Sequence, residues 1–173
     1  GVTSVNMYDP SALTGVDFSG NYTLGQDFRN MQPAHVFGNA PAGVGTWLAL
    51  YDGLNNGVEE MVDVIRINNP LTTPKFTRFS VNVGDIEDPT IPIRGIANQR
   101  GVSATIDFGD RRTLNAVWRD NALYVTTVIY PETGPDVNQV TAHWFKFDTS
   151  NTLTVKLADQ GSVGGEELGW HVN

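Results

Sequence analysis

The chain of 173 residues contains no cysteine. This absence excludes disulfide bonds, zinc sites built on thiolates and a catalytic thiol nucleophile. It does not assign a compartment, because many exported bacterial proteins also avoid cysteine.

Positive charge is scarce as well. Lysine and arginine number 11 against 19 aspartates and glutamates, which gives a formal net charge of −8. Such a surface repels phosphate backbones and offers no basic stripe along which a nucleic acid could bind. We therefore expect no nucleic-acid partner.

Long apolar runs are also missing. No run approaches the roughly 20 residues that a helix needs to span a bilayer, so we expect no membrane span. The opening residues GVTSVNMYDP have neither the basic nor the apolar region of an export signal. If the protein is exported, we expect the signal to have been removed or to lie outside this sequence.

Helical periodicity is the last notable absence. No window keeps apolar residues at the i, i+3, i+4 spacing over ten residues, whereas short runs rich in valine, isoleucine and aromatic residues alternate with polar ones. These runs predict an all-β fold. The predicted strands cover 34–38, 46–52, 61–67 and 75–82, then 113–118, 122–130, 139–147 and 152–158.

A strand-turn-strand pattern occurs three times. The three segments are SVNMYDPSALTG (4–15), DVIRINNPLTTPKFTRFSV (63–81) and HWFKFDTSNTLTVKLAD (143–159). In each, an apolar residue (Tyr8, Ile67, Phe147) ends a β-rich run. Asp or Asn follows directly, then Pro or Ser two residues later, and these residue types favour turns. Arg119-Asp120-Asn121 predicts a further hairpin loop.

Repeated four-stranded antiparallel units predict the blades of a β-propeller. We divide the chain into a partial blade at 1–30, a blade at 31–84, a blade at 103–161 and the start of another at 162–173. A blade must be covered on both faces, so we expect the remaining blades, from the same or a companion chain, as partners. The alternative is a self-contained β-sandwich.

The segments QPAHVFG, VIRINNPLTTP, RRTLNAVWRDNALYVTTV and HWFKFD carry a resemblance. In this order they resemble exported bacterial proteins with a sialidase-like or kelch-like β-propeller of unassigned function. The resemblance implies a secreted or cell-surface protein. Catalytic sialidases also carry repeated Ser-x-Asp-x-Gly-x-x-Trp boxes, and this sequence has none.

The segment DFGDRR contains the first candidate site. Asp107, Asp110, Arg111 and Arg112 flank a glycine just before a predicted inner strand. In a propeller such loops face the central axis, where an arginine can bind a carboxylate or a sugar acid with two parallel hydrogen bonds. The alternative is that these arginines form ion pairs between blades.

The oxygen-rich loop DGLNNGVEE contains the second candidate site. Asp52, Asn55 and Glu59 could bind Ca²⁺, although their spacing differs from that of an EF-hand. Otherwise we expect no cofactor. The acidic pairs near 59–60, 85–88 and 166–167 are interpreted as solvated loops, and the three histidines as isolated side chains in different blades. Trp47, Trp118 and Trp144 are predicted to lie in the core.

Two functions remain open. The first is a non-catalytic extracellular recognition or scaffold module of a larger exported protein, with a glycan or protein ligand. The second is a glycosidase-like or lyase-like enzyme whose site on the propeller axis uses Arg111 or Arg112 with Asp107 or Asp110.

Overall fold

Strands account for all of the regular structure in the part of the chain that the computed structural model describes. That part comprises residues 31–51, 53, 58–70, 73–87, 96–98, 101–107, 111–137 and 139–163. The strands are β1 (Gln32–Pro33), β2 (His35–Phe37), β3 (Val44–Leu50), β4 (Glu60–Asn68), β5 (Lys75–Gly84), β6 (Ile96–Asn98), β7 (Thr105–Asp107), β8 (Asn115–Arg119), β9 (Ala122–Ile129), β10 (Thr141–Asp148) and β11 (Lys156–Val163).

The strands form two larger sheets and one hairpin. The four-stranded sheet has the order β1-β3-β4-β5, the five-stranded sheet has the order β11-β10-β9-β8-β2, and β6 pairs with β7. All pairings are antiparallel except the β2–β8 pair. The prediction of an all-β, antiparallel fold is confirmed. No helical segment within the described ranges has the length and apolarity to cross a membrane.

Each larger sheet contains a four-stranded meander, β1-β3-β4-β5 and β8-β9-β10-β11. The loop between β8 and β9 consists of Asp120 and Asn121, whose φ angles are 49° and 64°. Two consecutive residues with positive φ are typical of a type I′ turn, which matches the twist of the strands it connects. The hairpin predicted at 119–121 is therefore present.

The strand predicted at 34–38 is split between the two sheets. Gln32 and Pro33 pair with β3, whereas His35 to Phe37 pair with β8 of the other sheet. Ala34 lies at the crossing, and its N–H donates to the Trp47 carbonyl at 2.8 Å. This crossing joins the two meanders along their first strands.

The main core lies between the two sheets. Inward residues of β3, β4 and β5 pack against inward residues of β8, β9 and β10. Its largest fully buried side chains include Trp47, Trp118, Tyr51, Phe145 and Phe147. The alternation of buried and exposed residues along β9 and β10 explains why these strands form, since period-2 patterning places one face on the core.

Part of the second face of the four-stranded sheet is buried too. Leu48, Ile65 and Phe76 form a separate apolar cluster there. On the same face Asp63, 1% exposed, is ion-paired with Arg78. Farther along β5 the same face is open to solvent, since Ser80 and Asn82 are exposed.

Two sheets packed face to face occur both in neighbouring propeller blades and in a β-sandwich. Both architectures are compatible with the described strands. The choice between them stays a prediction.

Gly45 contacts the turn that follows β4. A Cβ atom at this position would lie 2.3 Å from Cγ and 2.5 Å from Cδ of Pro70. We expect Gly45→Ala to lower the free energy of unfolding by about 1–3 kcal/mol, because the ring and the new methyl group would have to move apart. Urea unfolding measures this. The double variant Gly45→Ala/Pro70→Ala should recover part of the loss, and simple additivity of the two single changes would contradict the clash.

Candidate functional site

The end of β5 and the residues before β8 meet at the junction of the two sheets. Glu87 follows β5 and Arg111 precedes β8, and both side chains are buried. An Arg111 guanidinium nitrogen donates to Glu87 Oε2 at 2.8 Å, and the exposed fractions of the two side chains are 6% and 1%. This contact is an ion pair between sheets, the alternative that the sequence left open for Arg111.

The Glu87 carboxylate has two further neighbours. Its Oε1 accepts a hydrogen bond of 3.3 Å from the backbone N–H of Tyr130. The Tyr51 hydroxyl lies within interaction range of the carboxylate but makes no hydrogen bond of good geometry with any described residue. Glu87 therefore connects three segments of the chain that are far apart in sequence.

Hydrogen bonds around the ion pair hold the same junction together. The Tyr51 N–H donates to Thr113 Oγ1 at 2.7 Å, and the Thr113 N–H donates to the Tyr51 carbonyl at 3.1 Å. The Thr127 hydroxyl bonds to the carbonyls of Arg111 and Arg112 at 3.1 and 3.0 Å. The backbone on either side of Arg111 is consequently fixed by two threonines.

Glu60 adds a second buried carboxylate on the four-stranded sheet. It lies 3% exposed at the start of β4, and its Oε2 accepts a hydrogen bond of 2.6 Å from the Ile86 N–H. That bond positions the segment leading to Glu87. The interpretation of Glu60 and Glu87 as solvated loop residues is wrong, because the fold buries both between the sheets.

Burial determines the protonation behaviour of this cluster. Desolvation raises the pKa of the Glu87 carboxyl, and the hydrogen bond and charge of Arg111 offset part of the increase. Desolvation also raises the pKa of the Glu60 carboxyl, which the Ile86 N–H partly offsets. The pKa of the Tyr51 hydroxyl is raised by burial first and by the nearby Glu87 charge second. The cluster is thus a buried polar network in which a charged group without a partner would destabilise the fold.

The other three residues of the predicted DFGDRR site are Asp107, Asp110 and Arg112. Asp107 ends β7, while Asp110 lies outside the described residues. Arg112 is exposed, unlike its buried neighbour Arg111. Of the two described arginines, the structure therefore places Arg111 in the buried ion pair and leaves Arg112 exposed.

The predicted calcium loop falls largely outside the described residues. Asp52 and Asn55 are not described, and the Glu59 carboxylate accepts a hydrogen bond from the Asn82 side-chain amide. Among the described residues there is no group of three or more His, Asp or Glu side chains that could hold a metal ion.

His143 is buried on β10, whereas His35 is exposed on β2, and His171 lies outside the described residues. The His143 Nδ1 atom lies 3.1 Å from Ser162 Oγ, and its ring meets Phe145 edge-on at 4.8 Å. The neighbouring Gln160 side chain donates from Nε2 to the Val83 carbonyl at 2.9 Å. His143 therefore lies where the last strands of the two sheets are tied together.

Comparisons with known proteins add no identification to this geometry. No known protein family, curated protein or solved structure matches the chain. The resemblance to sialidase-like and kelch-like propellers therefore stays a prediction.

Glu87 and Glu60 are the residues that sequence reasoning missed. The sequence did carry a signal that Glu60 is buried. Glu60, Val62 and Val64 are spaced two residues apart, so they share one face of β4. Glu87 carried none, because its burial depends on Arg111, Tyr130 and Tyr51, which come from other elements.

His143 is expected to make the free energy of unfolding depend on pH. Burial lowers its pKa, and the Gln160 side chain offsets part of this shift. The unfolded chain then binds the proton more readily than the folded one. The stability due to neutral His143 is present above the unfolded pKa of about 6.5 and is lost as the pH falls toward the folded pKa.

We expect the difference in unfolding free energy between wild type and His143→Gln to narrow as the pH falls from about 7.5 to about 5.5, with a slope of at most about 1.4 kcal/mol per pH unit. Urea titrations at each pH measure it. The exposed His35→Gln variant is the matched control. A difference that stays constant over this range would contradict the role of His143.

Proposed function

We propose that this chain is a non-catalytic recognition or scaffold module of the β-propeller type, carried by a larger exported bacterial protein. The proposal includes an extracellular or cell-surface location, further blades as partners, and a glycan or protein as ligand. It includes no cofactor, with Ca²⁺ at the 52–60 loop as the one exception.

The burial of Arg111 is the observation that supports a non-catalytic role. An arginine that binds a substrate carboxylate must present its guanidinium group to the ligand. The Arg111 side chain is only 6% exposed and is paired with Glu87. Releasing it would leave Glu87 buried without its counter-charge, which costs several kcal/mol. Arg111 therefore contributes to the junction of the two sheets.

The two meanders support the scaffold part of the proposal. Each is a four-stranded antiparallel unit, and the first strands of the two units are connected through Ala34. A fold that repeats one unit offers broad surfaces for binding rather than one enclosed cavity. The step from this architecture to recognition rests on analogy with other propellers.

Turnover and binding assays together test the proposal. The purified chain is incubated with sialosides, uronic-acid oligosaccharides and neutral oligosaccharides, and products are quantified by mass spectrometry. The same panel is then immobilised to measure binding. We expect no product from any substrate.

Asp110→Asn provides the decisive comparison for the enzymatic alternative. Turnover that is lost in Asp110→Asn and kept in Asp120→Asn would overturn the proposal. Asp120 is a suitable control because its side chain is 79% exposed in the β8–β9 turn, where asparagine is equally favoured. Calorimetry with CaCl₂ on wild type and Glu59→Gln tests the calcium exception.

A further inference from the structure

The five-stranded sheet has one face that no described residue covers. This outer face carries apolar or aromatic side chains on each of the five strands of the sheet. They are Phe37, Val117, Tyr124, Val128, Trp144 and Val163, together with Lys146. Phe37, Tyr124 and Val163 are 55%, 40% and 57% exposed. By contrast, the five-stranded sheet covers the corresponding face of the four-stranded sheet.

Two rings on the outer face are placed by specific contacts. The Lys146 ammonium lies over the Tyr124 ring, 5.9 Å from its centroid, and these residues are directly opposite each other on β10 and β9. The Trp144 indole lies against Gly161, where a Cβ atom would come within 3.1 Å of it. Trp144 therefore packs against the backbone of β11, and Lys146 places a cation beside the Tyr124 ring.

The four-stranded sheet contains the same arrangement. Arg66 on β4 lies over the Trp47 ring of β3, 5.9 Å from its centroid, and these residues are also directly opposite each other. Both pairs join the second and third strands of a meander. In the repeated sequence pattern both cations directly precede the apolar anchor residue, Ile67 in one unit and Phe147 in the other. Arg66 and Lys146 are therefore equivalent positions.

The two meanders are stacked in the same orientation. β8 lies beside β1 and β3, and β11 lies beside β5, so first strands adjoin first strands and last strands adjoin last strands. β2 follows β1 after one residue and runs parallel to β8. The face with Arg66 and the face with Lys146 therefore point in the same direction along the stack.

On the four-stranded sheet this face is an interface. The five-stranded sheet covers it, and Arg66 donates to the carbonyl of Thr152, in the turn between the third and fourth strands of the next unit. The cation thus bonds to the unit that stacks on its own sheet.

From this repetition we propose that the outer face is the docking surface for a further four-stranded antiparallel sheet of the same polypeptide. Lys146 donates to a carbonyl in the turn between the third and fourth strands of that sheet, as Arg66 donates to Thr152. The inference rests on the proposed propeller architecture and identifies the face through which the next blade docks. A glycan stacked on the rings and a second copy of the chain are the competing occupants.

Lysine footprinting tests this inference. The chain has only three lysines to compare, Lys75, Lys146 and Lys156. The intact polypeptide that carries these residues is purified from its source, and the 173-residue chain is purified alone. Both are acetylated briefly, and modification is quantified by peptide mapping. Lys75 and Lys156 are exposed and serve as internal references.

We expect Lys146 to be acetylated about tenfold more slowly in the intact polypeptide than in the isolated chain, relative to Lys156, because acetylation then requires local opening of an interface. A cross-linker with an amine-reactive and a photoreactive end then identifies the neighbour. Cross-links from Lys146 to a β-rich segment of the same polypeptide support the proposal.

The other outcomes overturn it. Equal reactivity of Lys146 in both preparations means that no segment outside the 173 residues covers the face. Protection with cross-links only to a second copy, or protection that disappears after glycosidase treatment, assigns the face to another occupant. Glycan turnover would overturn the non-catalytic role whatever the footprint shows, so the two proposals fail separately.

Discussion

Replacing Arg111 with methionine is expected to lower the free energy of unfolding by about 3–5 kcal/mol, because the change leaves the buried Glu87 carboxylate without its counter-charge. The Arg111 guanidinium and Glu87 Oε2 are 2.8 Å apart, and both side chains are nearly inaccessible to solvent. Chemical denaturation at pH 7 with fluorescence detection measures the loss.

A double variant separates the contribution of charge to this loss of stability from the contribution of packing. The double variant Arg111→Met/Glu87→Gln removes both charges, and we expect it to recover a substantial part of the stability, since neutral glutamine carries a smaller desolvation cost than an unpaired carboxylate. The exposed pair Arg119–Asp120 supplies the control. Its side chains are 72% and 79% exposed, so Arg119→Met should change stability by less than about 1 kcal/mol.

Arg111→Met should also gain stability more strongly than wild type as the pH falls. Desolvation already raises the pKa of Glu87, and loss of Arg111 removes the main opposing contribution. A carboxyl group with a raised folded pKa binds protons more readily when folded, so it stabilises the fold as the pH falls from the folded pKa toward its ordinary value. Arg111→Met should therefore regain stability relative to wild type between pH 7 and pH 5. A penalty independent of pH would indicate that packing, not charge, is lost.

Replacing Phe145 with alanine should cost about 3–5 kcal/mol, the range for a large aromatic side chain removed from a packed core. Phe145 is fully buried on β10 and lies between the rings of Tyr51 and Phe147, with centroid distances of 5.6 and 5.9 Å. Tyr51 belongs to the four-stranded sheet, so the cavity would open at the contact between the sheets.

Two comparisons identify the origin of this effect. Phe145→Leu should cost less than Phe145→Ala, because leucine refills most of the cavity. Leu153→Ala, at a position 82% exposed in the β10–β11 turn, should change stability by no more than about 0.5 kcal/mol. Equal effects of Phe145→Ala and Leu153→Ala in thermal and urea unfolding would show that the sheets do not pack through Phe145.

Local chemistry made several features predictable. Asp120 and Asn121 form the β8–β9 turn because these residue types tolerate positive φ. The alternation in β9 and β10 predicted which residues point to the core, and Trp47 and Trp118 are buried as expected. Trp144 is the exception, since it faces outward against Gly161.

The candidate site was less predictable. The sequence analysis selected Arg111 as a ligand-binding candidate with an ion pair as the alternative, but it could not identify the partner of that ion pair. Glu87 precedes Arg111 by 24 residues and follows the last strand of the other sheet. Nothing in the local pattern distinguishes Glu87 from a solvated acid such as its exposed neighbour Asp85.

By itself the sequence determined the all-β class and most of the meander strands, because period-2 alternation and turn-forming residues act over a few positions. The last strand is an exception, since it was predicted at 152–158 and lies at Lys156–Val163. Only the tertiary structure decided which faces are covered. Alternation defines two faces of a strand without saying what packs on either one, so Phe76 became buried and Tyr124 did not. Burial of Glu87 and the transfer of β2 to the second sheet likewise depend on contacts between segments distant in sequence, which no local pattern encodes.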